Sequence, residues 1–305
     1  MAVLAPPDSP TRAASRQSAQ ARAVKAMRRN DRRGWFLSLP SILVLLALAG
    51  VPTVYVILGA FSADGVDAFD TIVHDPGFSQ MMVNTGIWVV IALVGALVVG
   101  YLAAIALNHK GVRLTGMWRA LLLIPWITPH VAAATAWKWM FGTEYGTLNG
   151  LLLQLHIIHE PISWLTNTTL VLPALALVQV WSTFPFVMMM VTSGLQSIPD
   201  EVYEAAQLDG ARPFDTLRFI ILPALRDVTF ILVLIVTVWA LNSFVPVWVI
   251  TRGGPAGAST ILPIKLYQEF QNGSASSVSV IALFQLLVSM TLAWFYVQRT
   301  QKGDR

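Results

Sequence analysis

The chain has 305 residues, of which 55% are hydrophobic and 12% charged, and its mean hydropathy is +0.64. An average soluble chain is about 45–50% apolar and about 25% charged, so a soluble enzyme and a disordered interaction protein are both excluded. Zero cysteines rule out disulfides, thiol catalysis and thiolate-bound metal centres; the net charge of +4 matters less than where the charges lie.

Residues 1–33 carry Arg12, Arg16, Arg22, Lys25, Arg28, Arg29, Arg32 and Arg33 among Pro, Ser and Ala. This tail has too little apolar content to fold alone, and it is expected to lie disordered in the cytoplasm against anionic lipid, not on nucleic acid. Six stretches then lack Asp, Glu, Lys and Arg: Gly34–Ala63, Pro76–His109, Ala120–Trp137, Pro161–Pro199, Val228–Thr251 and Phe270–Gln298. About 20 helical residues cross about 30 Å of hydrocarbon, and each stretch holds one helix. The predicted spans are about 35–60, 84–107, 118–140, 170–192, 228–249 and 277–297, within a transmembrane domain 34–298 followed by a short tail 299–305. The first apolar run exceeds the 7–15 residues of a signal-peptide core, so it reads as an uncleaved helix.

Six spans place both termini on one side, and the basic residues name it. The N-terminal tail, Lys110, Arg113, Arg119, Arg212, Arg218, Arg226, Arg299, Lys302 and Arg305 share that side, 17 of the 20 Lys and Arg, leaving Lys138, Arg252 and Lys265 opposite. The positive-inside rule assigns the 17 to the cytoplasm. Trp35, Trp118, Trp137, Trp139, Trp164, Trp248 and Trp294 fall near predicted helix ends, where an indole prefers the headgroup layer.

One connection carries written structure of its own: 193–227, between the fourth and fifth spans. Ser197 followed by Asp200, with Pro199 in the first turn, signals a helix start. Val202, Ala205, Ala206 and Leu208 form an apolar face and Asp200, Glu201, Glu204 and Asp209 a polar one. Gly210 is placed to end this helix, Pro213 to open a second over Phe214–Ile221, and Pro223 to break the chain before the fifth span. Interfacial helices normally carry Lys or Arg on their polar face, whereas this one is acidic, which suits docking against a protein.

Glu204-Ala205-Ala206, then three residues, Gly210, nine residues, Ile220, one residue and Leu222-Pro223 resembles the EAA signature of ATP-binding-cassette (ABC) importer permeases. Pro199, Tyr203, Asp209-Gly210-Ala211 and Thr251-Arg252-Gly253-Gly254-Pro255 look like the family's carbohydrate-uptake branch. The resemblance covers about residues 35–298, and within the branch the chain is most similar to permease subunits of mycobacterial-type trehalose importers. It implies an all-α polytopic membrane protein of the type I ABC importer permease fold in the bacterial inner (plasma) membrane. Such a chain would import a sugar, a disaccharide such as trehalose, by alternating access. The implied ATPase-coupling residues are Glu204, Ala205, Ala206, Asp209, Gly210, Leu222 and Pro223: Glu204 for a polar contact with the ATPase, the alanines for close approach, Gly210 for the turn. The implied partners are a second homologous permease, two copies of a cytoplasmic ATPase subunit and an extracytoplasmic sugar-binding (lipo)protein. ATP and magnesium would sit on that ATPase, no cofactor on this chain.

The residues agree with that division of labour. No Gly-x4-Gly-Lys-Ser/Thr and no His-Glu-x-x-His occurs, so neither a phosphate-cradling loop nor a zincin site is written here. His130, His156 and His159 lack metal-ligand spacing, and Gly142, Gly146 and Gly150 read as a turn. No catalytic and no metal-binding residue is assigned. Polar side chains inside spans are functional candidates by default, and a sugar pathway wants amides and flat aromatic faces. Gln179, Trp181 and Ser182, with Trp239, Asn242 and Ser243, qualify, and Gln285 follows in the sixth span; the bland reading is interhelical packing glue. Pro185 and Pro246 read as kinks. A self-sufficient secondary transporter would want ionisable residues at the span centres. A membrane-embedded transferase would want an acidic cluster, for which Asp64, Asp67, Asp70 and Asp75 are better read as a solvated loop.

Overall fold

A computed structural model describes residues 38–109 and 111–303. The basic tail 1–33, Trp35 with the start of the first predicted span, Lys110 and the last two residues lie outside them. The chain divides into two units, Met1–Leu58 and Gly59–Arg305. Among the described residues, regular structure is entirely helical.

Helix α1, Ser38–Ala60, which forms the described part of the first unit and whose last two residues are counted with the second, has the apolar composition of a membrane span. It widens into a π turn at Leu46–Gly50, just ahead of Pro52, which cannot donate to the Leu48 carbonyl.

In the second unit lies α2, Ala63–His74, whose N-cap Ser62 accepts from the Gly65 amide at 3.1 Å. The four aspartates expected in a solvated loop are instead arranged on and just after this helix: Asp64, Asp67, Asp70 and Asp75 point to solvent while Ile72 is buried. Asp75 then caps the next helix by accepting from the Gly77 amide at 2.8 Å. With Pro76 in the first turn, α3 runs Pro76–Asn108, starting well before the predicted position 84.

The third predicted span is not one helix. α4, Thr115–Ile127, and α5, His130–Met140, meet at 94°. Pro129 has no N–H and pushes Thr128 out of the helical region (ψ 130°), and the Thr128 hydroxyl donates to the Ile124 carbonyl at 2.6 Å. The short helix α6, Thr147–Gln154, follows; Gly142 and Gly146 lie in the turn before it and Gly150 inside it.

α7, Val171–Leu195, runs unbroken through Pro185 and is the central helix. Two-thirds of its apolar window is buried, against 28% for the fifth span and 22% for α3. Its main partner is α3, which presents Trp88, Ala92, Ala96, Gly100 and Ala104, one residue per turn, all buried. Without a hydrophobic drive in lipid, the four small residues that follow Trp88 let the helices approach closely enough for dispersion to hold them.

The connection holds α8, Asp200–Leu208, and α9, residues 213–224, which contains a π turn at Leu217–Ile221. The fifth span is again interrupted: α10, Arg226–Leu241, and α11, Val245–Ile250, are separated at Asn242–Phe244. Broken backbone at membrane depth persists only where its polar groups find partners. Here the Trp88 indole donates to the Ala240 carbonyl at 3.0 Å, the Asn242 amide to Val238 at 2.8 Å and the Gln285 amide to Leu241 at 3.4 Å. The turn after α11 is equally tied. Asn84, 2% exposed, donates to the Gly257 and Thr260 carbonyls at 3.1 and 3.2 Å, and the Thr260 hydroxyl donates to Gly253 at 3.1 Å.

α12, Leu262–Gln271, leads into α13, Ala275–Gly303. The last helix therefore runs through most of the predicted tail 299–305, since Arg, Gln and Lys propagate a helix well. Three apolar clusters fill the packed helices, one of them joining Ile72, Met81, Leu262 and Ile281, and the other two lie along α7. One joins Trp88, Ala92, Leu175 and Val247, the other Ala96, Val187, Leu195, Leu225 and Val236.

Candidate functional site

The α7–α10 connection is organised by two glycines and one tyrosine. Ser197 does not cap α8: its hydroxyl donates backward to the Gly194 carbonyl at 2.7 Å, satisfying the end of α7, and Pro199 takes the N-cap place without a side-chain bond. Asp200 and Glu201 occupy the first turn, where the helix dipole favours negative charge. At the other end Gly210 has φ +77°. Its amide reaches the Gln207 carbonyl at 3.1 Å and the Ala211 amide reaches Ala206 at 2.9 Å, the two bonds of a Schellman closure. Asp215 then accepts from the Arg212 amide at 3.1 Å and starts α9.

The inward face of α8 is not the predicted one. Tyr203 and Ala206 are half-buried, with Tyr203 packed on the cluster of Leu195, Ile221 and Leu225. Val202 and Leu208 are 40% and 89% exposed, and Ala205 is exposed as well. The tyrosine ring has more apolar area to bury than Val202 or Ala205, so it sets the rotation of the helix. Its buried hydroxyl has no hydrogen-bond partner, and burial, then the Asp200 charge, raise its pKa. Glu201, Glu204, Ala205, Leu208 and Asp209 are left on an outer surface that Phe214, Phe219, Leu222 and Pro223 continue. The unit is seated on the spans by Leu225, 1% exposed. It lies so close to Gly194 that a Cβ there would stand 2.4 Å from Leu225 Cδ2.

A second site lies at mid-span, between the two apolar clusters along α7. A cavity of about 450 Å³ is lined by Trp126, His130, Gln179, Ser182, Thr183, Trp239, Asn242, Ser243 and Phe244–Pro246. Five of the six residues singled out for a pathway meet here: Gln179, Ser182, Trp239, Asn242 and Ser243. Gln179 is the hub. Its amide donates to the Thr183 hydroxyl at 3.1 Å, its side-chain oxygen accepts from Ser243 at 2.8 Å, and its backbone carbonyl accepts from Ser182 at 2.9 Å. Asn242 is exposed in the cavity and accepts from Gln285 at 3.0 Å.

Trp181 does not reach the cavity and packs edge-on against Trp137, 5.7 Å between centroids. Trp126, His130, Thr183, Phe244 and Val245 line it without having been singled out for a pathway. The signal for the first two is the pair Pro125 and Pro129, which brackets a break beside which both residues sit. Pro246, read only as a kink, also contributes to the wall. The lining holds no Asp, Glu, Lys or Arg, so the site offers mainly hydrogen bonds and aromatic faces.

Residues 96–301 match the family model described as binding-protein-dependent transport system inner membrane component. A probable ABC transporter permease protein of Brucella suis is 30% identical over 284 residues, 89% of this chain and 97% of that one. The trehalose/maltose transport system permease protein of Thermococcus litoralis is 34% identical over 208 residues, 67% and 69% of the two chains. In fold, the chain is similar to a solved bacterial ABC transporter involved in import of the acidic polysaccharide alginate. The TM-score is 0.77, with 21% identity and coverage of 92% and 99% of the two chains.

Proposed function

Because the chain belongs to the family of binding-protein-dependent transport system inner membrane components, we propose that it is one permease of an ATP-driven sugar importer whose substrate is a neutral disaccharide such as trehalose. A membrane-spanning transport subunit of this family is not an enzyme. On this reading ATP, with magnesium, is hydrolysed by two copies of a cytoplasmic ATPase subunit. A second homologous permease completes the pathway, and an extracytoplasmic binding protein delivers the sugar. Both termini and the α7–α10 connection are cytoplasmic.

The observation that carries the coupling role is the outer surface of the connection. α8 is held on the spans by Tyr203 while Glu204, Ala205, Leu208 and Asp209 stay exposed. Exposed apolar side chains rimmed by acids are a docking surface in search of a protein, and α8, which carries acids and no Lys or Arg, disfavours anionic lipid. Movement of a docked ATPase would be passed on through Leu225 and Gly194 to α10 and α7, which bear the cavity's amide and hydroxyl groups. The cavity itself supports a neutral substrate, since it holds hydrogen-bonding amides and hydroxyls with Trp126 and Trp239 but no Lys or Arg. Identity of 34% to a trehalose/maltose permease supports the sugar class.

The test is uptake of labelled trehalose, maltose and glycerol phosphate by cells with and without this chain, and with Glu204→Lys or Gly210→Val. Loss of disaccharide uptake on deletion, and in both variants despite normal membrane insertion, is expected. Normal uptake by both variants would remove the coupling assignment, and unchanged disaccharide uptake without the chain would remove the substrate.

A further inference from the structure

We propose that a groove between α12 and α13 is a second subsite for a neutral sugar ring, adjoining the mid-span cavity at Asn242. This assignment rests on the permease reading and adds where the second ring of a disaccharide is held while the first occupies the cavity. The groove has a volume of about 460 Å³, and its wall includes Asn242, Phe244, Leu266, Tyr267, Gln285 and Ser289. Asn242 and Phe244 line the mid-span cavity as well, so the two spaces adjoin at the interruption between α10 and α11. Each lies within the range of small-molecule sites, about 300–1,000 Å³.

The lining has the chemistry that takes a sugar and not a lipid chain. Phe244 and Tyr267 meet edge to face, 5.0 Å between centroids, and Trp248 braces both, at 5.6 Å from Phe244 and 4.7 Å from Tyr267. Rings fixed in this way offer a firm apolar wall to the C–H face of a pyranose, while a few placed polar groups set its orientation. Asn242, Gln285 and Ser289 supply two amides and a hydroxyl, and the lining holds no charged residue. By contrast, the groove lined by Phe61, Val66, Phe69, Leu283 and Leu287 holds no polar side chain at all, and an acyl chain fits that one better.

Gln285 separates a subsite from packing glue. Its amide nitrogen is used within the fold, donating to the Asn242 side chain at 3.0 Å and to the Leu241 carbonyl at 3.4 Å. Its side-chain oxygen is buried and accepts nothing among the described residues. An open buried acceptor is costly and rare, and a residue kept only for its nitrogen leaves that cost unexplained. The terminal torsion of a glutamine is broad, so the oxygen can turn to the groove that Gln285 lines and accept from a sugar hydroxyl. Neutral sugars carry donors around the ring and no charge, which matches an open acceptor beside aromatic faces.

The test uses the assembled, nucleotide-free transporter and a cationic methanethiosulfonate, which attacks thiols only where water reaches them. This chain has no cysteine, so Ser289→Cys reports the groove and His130→Cys the mid-span cavity, each read from the mass of this chain. Both should react, and trehalose or maltose at about ten times its half-saturating concentration should slow both about tenfold, because only empty sites react. One molecule seated across the interruption gives both reporters the same half-saturating concentration within about twofold; unequal values, the mark of two independent sites, would overturn the shared subsite. Gln285→Leu should raise that concentration about fivefold, as loss of one hydrogen bond does, and Tyr267→Ala should raise it too. Where Tyr267→Ala fails to insert, Tyr267→Leu removes the ring with less loss of bulk and should give a change of the same sign. No reaction at Ser289→Cys, the result expected if the second permease or lipid fills the groove, would overturn the subsite. Protection of His130→Cys without protection of Ser289→Cys would overturn it too, and would leave the importer reading intact. Protection of neither reporter by either sugar would overturn the subsite together with the disaccharide assignment, which the uptake assay reads separately.

Discussion

The contact between α3 and α7 can be tested by adding one methyl on one side of it and removing two from the other. A Cβ on Gly95 would lie 2.5 Å from Val180 Cγ2, 3.3 Å from Cγ1 and 3.5 Å from Cβ. Val180 is 7% exposed and neighbours Gln179, so it has little room to retreat and its displacement would be felt at the cavity. Gly95→Ala should destabilise by about 1–3 kcal/mol through overpacking, less up to about 1 kcal/mol that alanine restores to helix propensity. Val180→Ala alone removes two carbons from the same contact and should lose about 1–3 kcal/mol. Together the changes are complementary: both clashing Cγ atoms are gone, and the new methyl meets the remaining Cβ at an ordinary 3.5 Å. The double variant should therefore be more stable than the sum of the singles by about 2 kcal/mol, far outside the additivity of independent sites. Reversible unfolding of the detergent-solubilised protein by denaturant measures all four corners of this cycle. Additivity within about 0.5 kcal/mol would refute the close packing on which the α3–α7 contact is argued.

Two other outcomes follow from the connection. Gly210 has φ +77° with nothing within 4 Å of an added Cβ, so strain and not collision decides its substitutions. Asn, which tolerates the left-handed region, should retain most uptake, and Val, which does not, should abolish it with a local destabilisation of about 1–3 kcal/mol; equal loss in both would mean that side-chain bulk against a partner is decisive. The Tyr203 pKa is raised by burial and by Asp200, so the folded state holds its proton longer than the unfolded chain. Stability should then be fully present below the ordinary tyrosine pKa of about 10 and fall as pH rises above it. Tyr203→Phe should flatten that fall while leaving neutral-pH stability unchanged, since the lost hydroxyl had no hydrogen-bond partner; a thermal unfolding series against pH reads both.

How much could be read beforehand depends on the range of the interaction. The α8–Gly210–α9 unit is local: its caps and turn involve residues within a few positions of one another, and Gly210 and Asp215 act as their types require. Even here two details depended on competition. Ser197 was drawn to the Gly194 carbonyl left open by α7, and Tyr203 took the inward position expected for Val202 and Ala205. The prolines at 129 and 246 were visible, but a proline states only that a hydrogen bond is missing. Whether the helix runs on, as α7 does through Pro185, or turns by 94° depends on what is packed on each side.

By itself the sequence determined that this chain lives in a membrane, where its apolar runs lie and that one connection is a helical pair whose first helix is acidic. Each of those properties is set by composition or by neighbours within about two helical turns. Only the tertiary structure decided that Trp126, Gln179, Asn242 and Ser243, spread over more than 110 residues, share one cavity, and that Trp181 is excluded from it. Helical periodicity assigns a residue to a face but not that face to a neighbour. That choice is made by the Ala and Gly ridge of α3 and by the partners that Trp88 and Gln285 supply to the broken backbone of the fifth span.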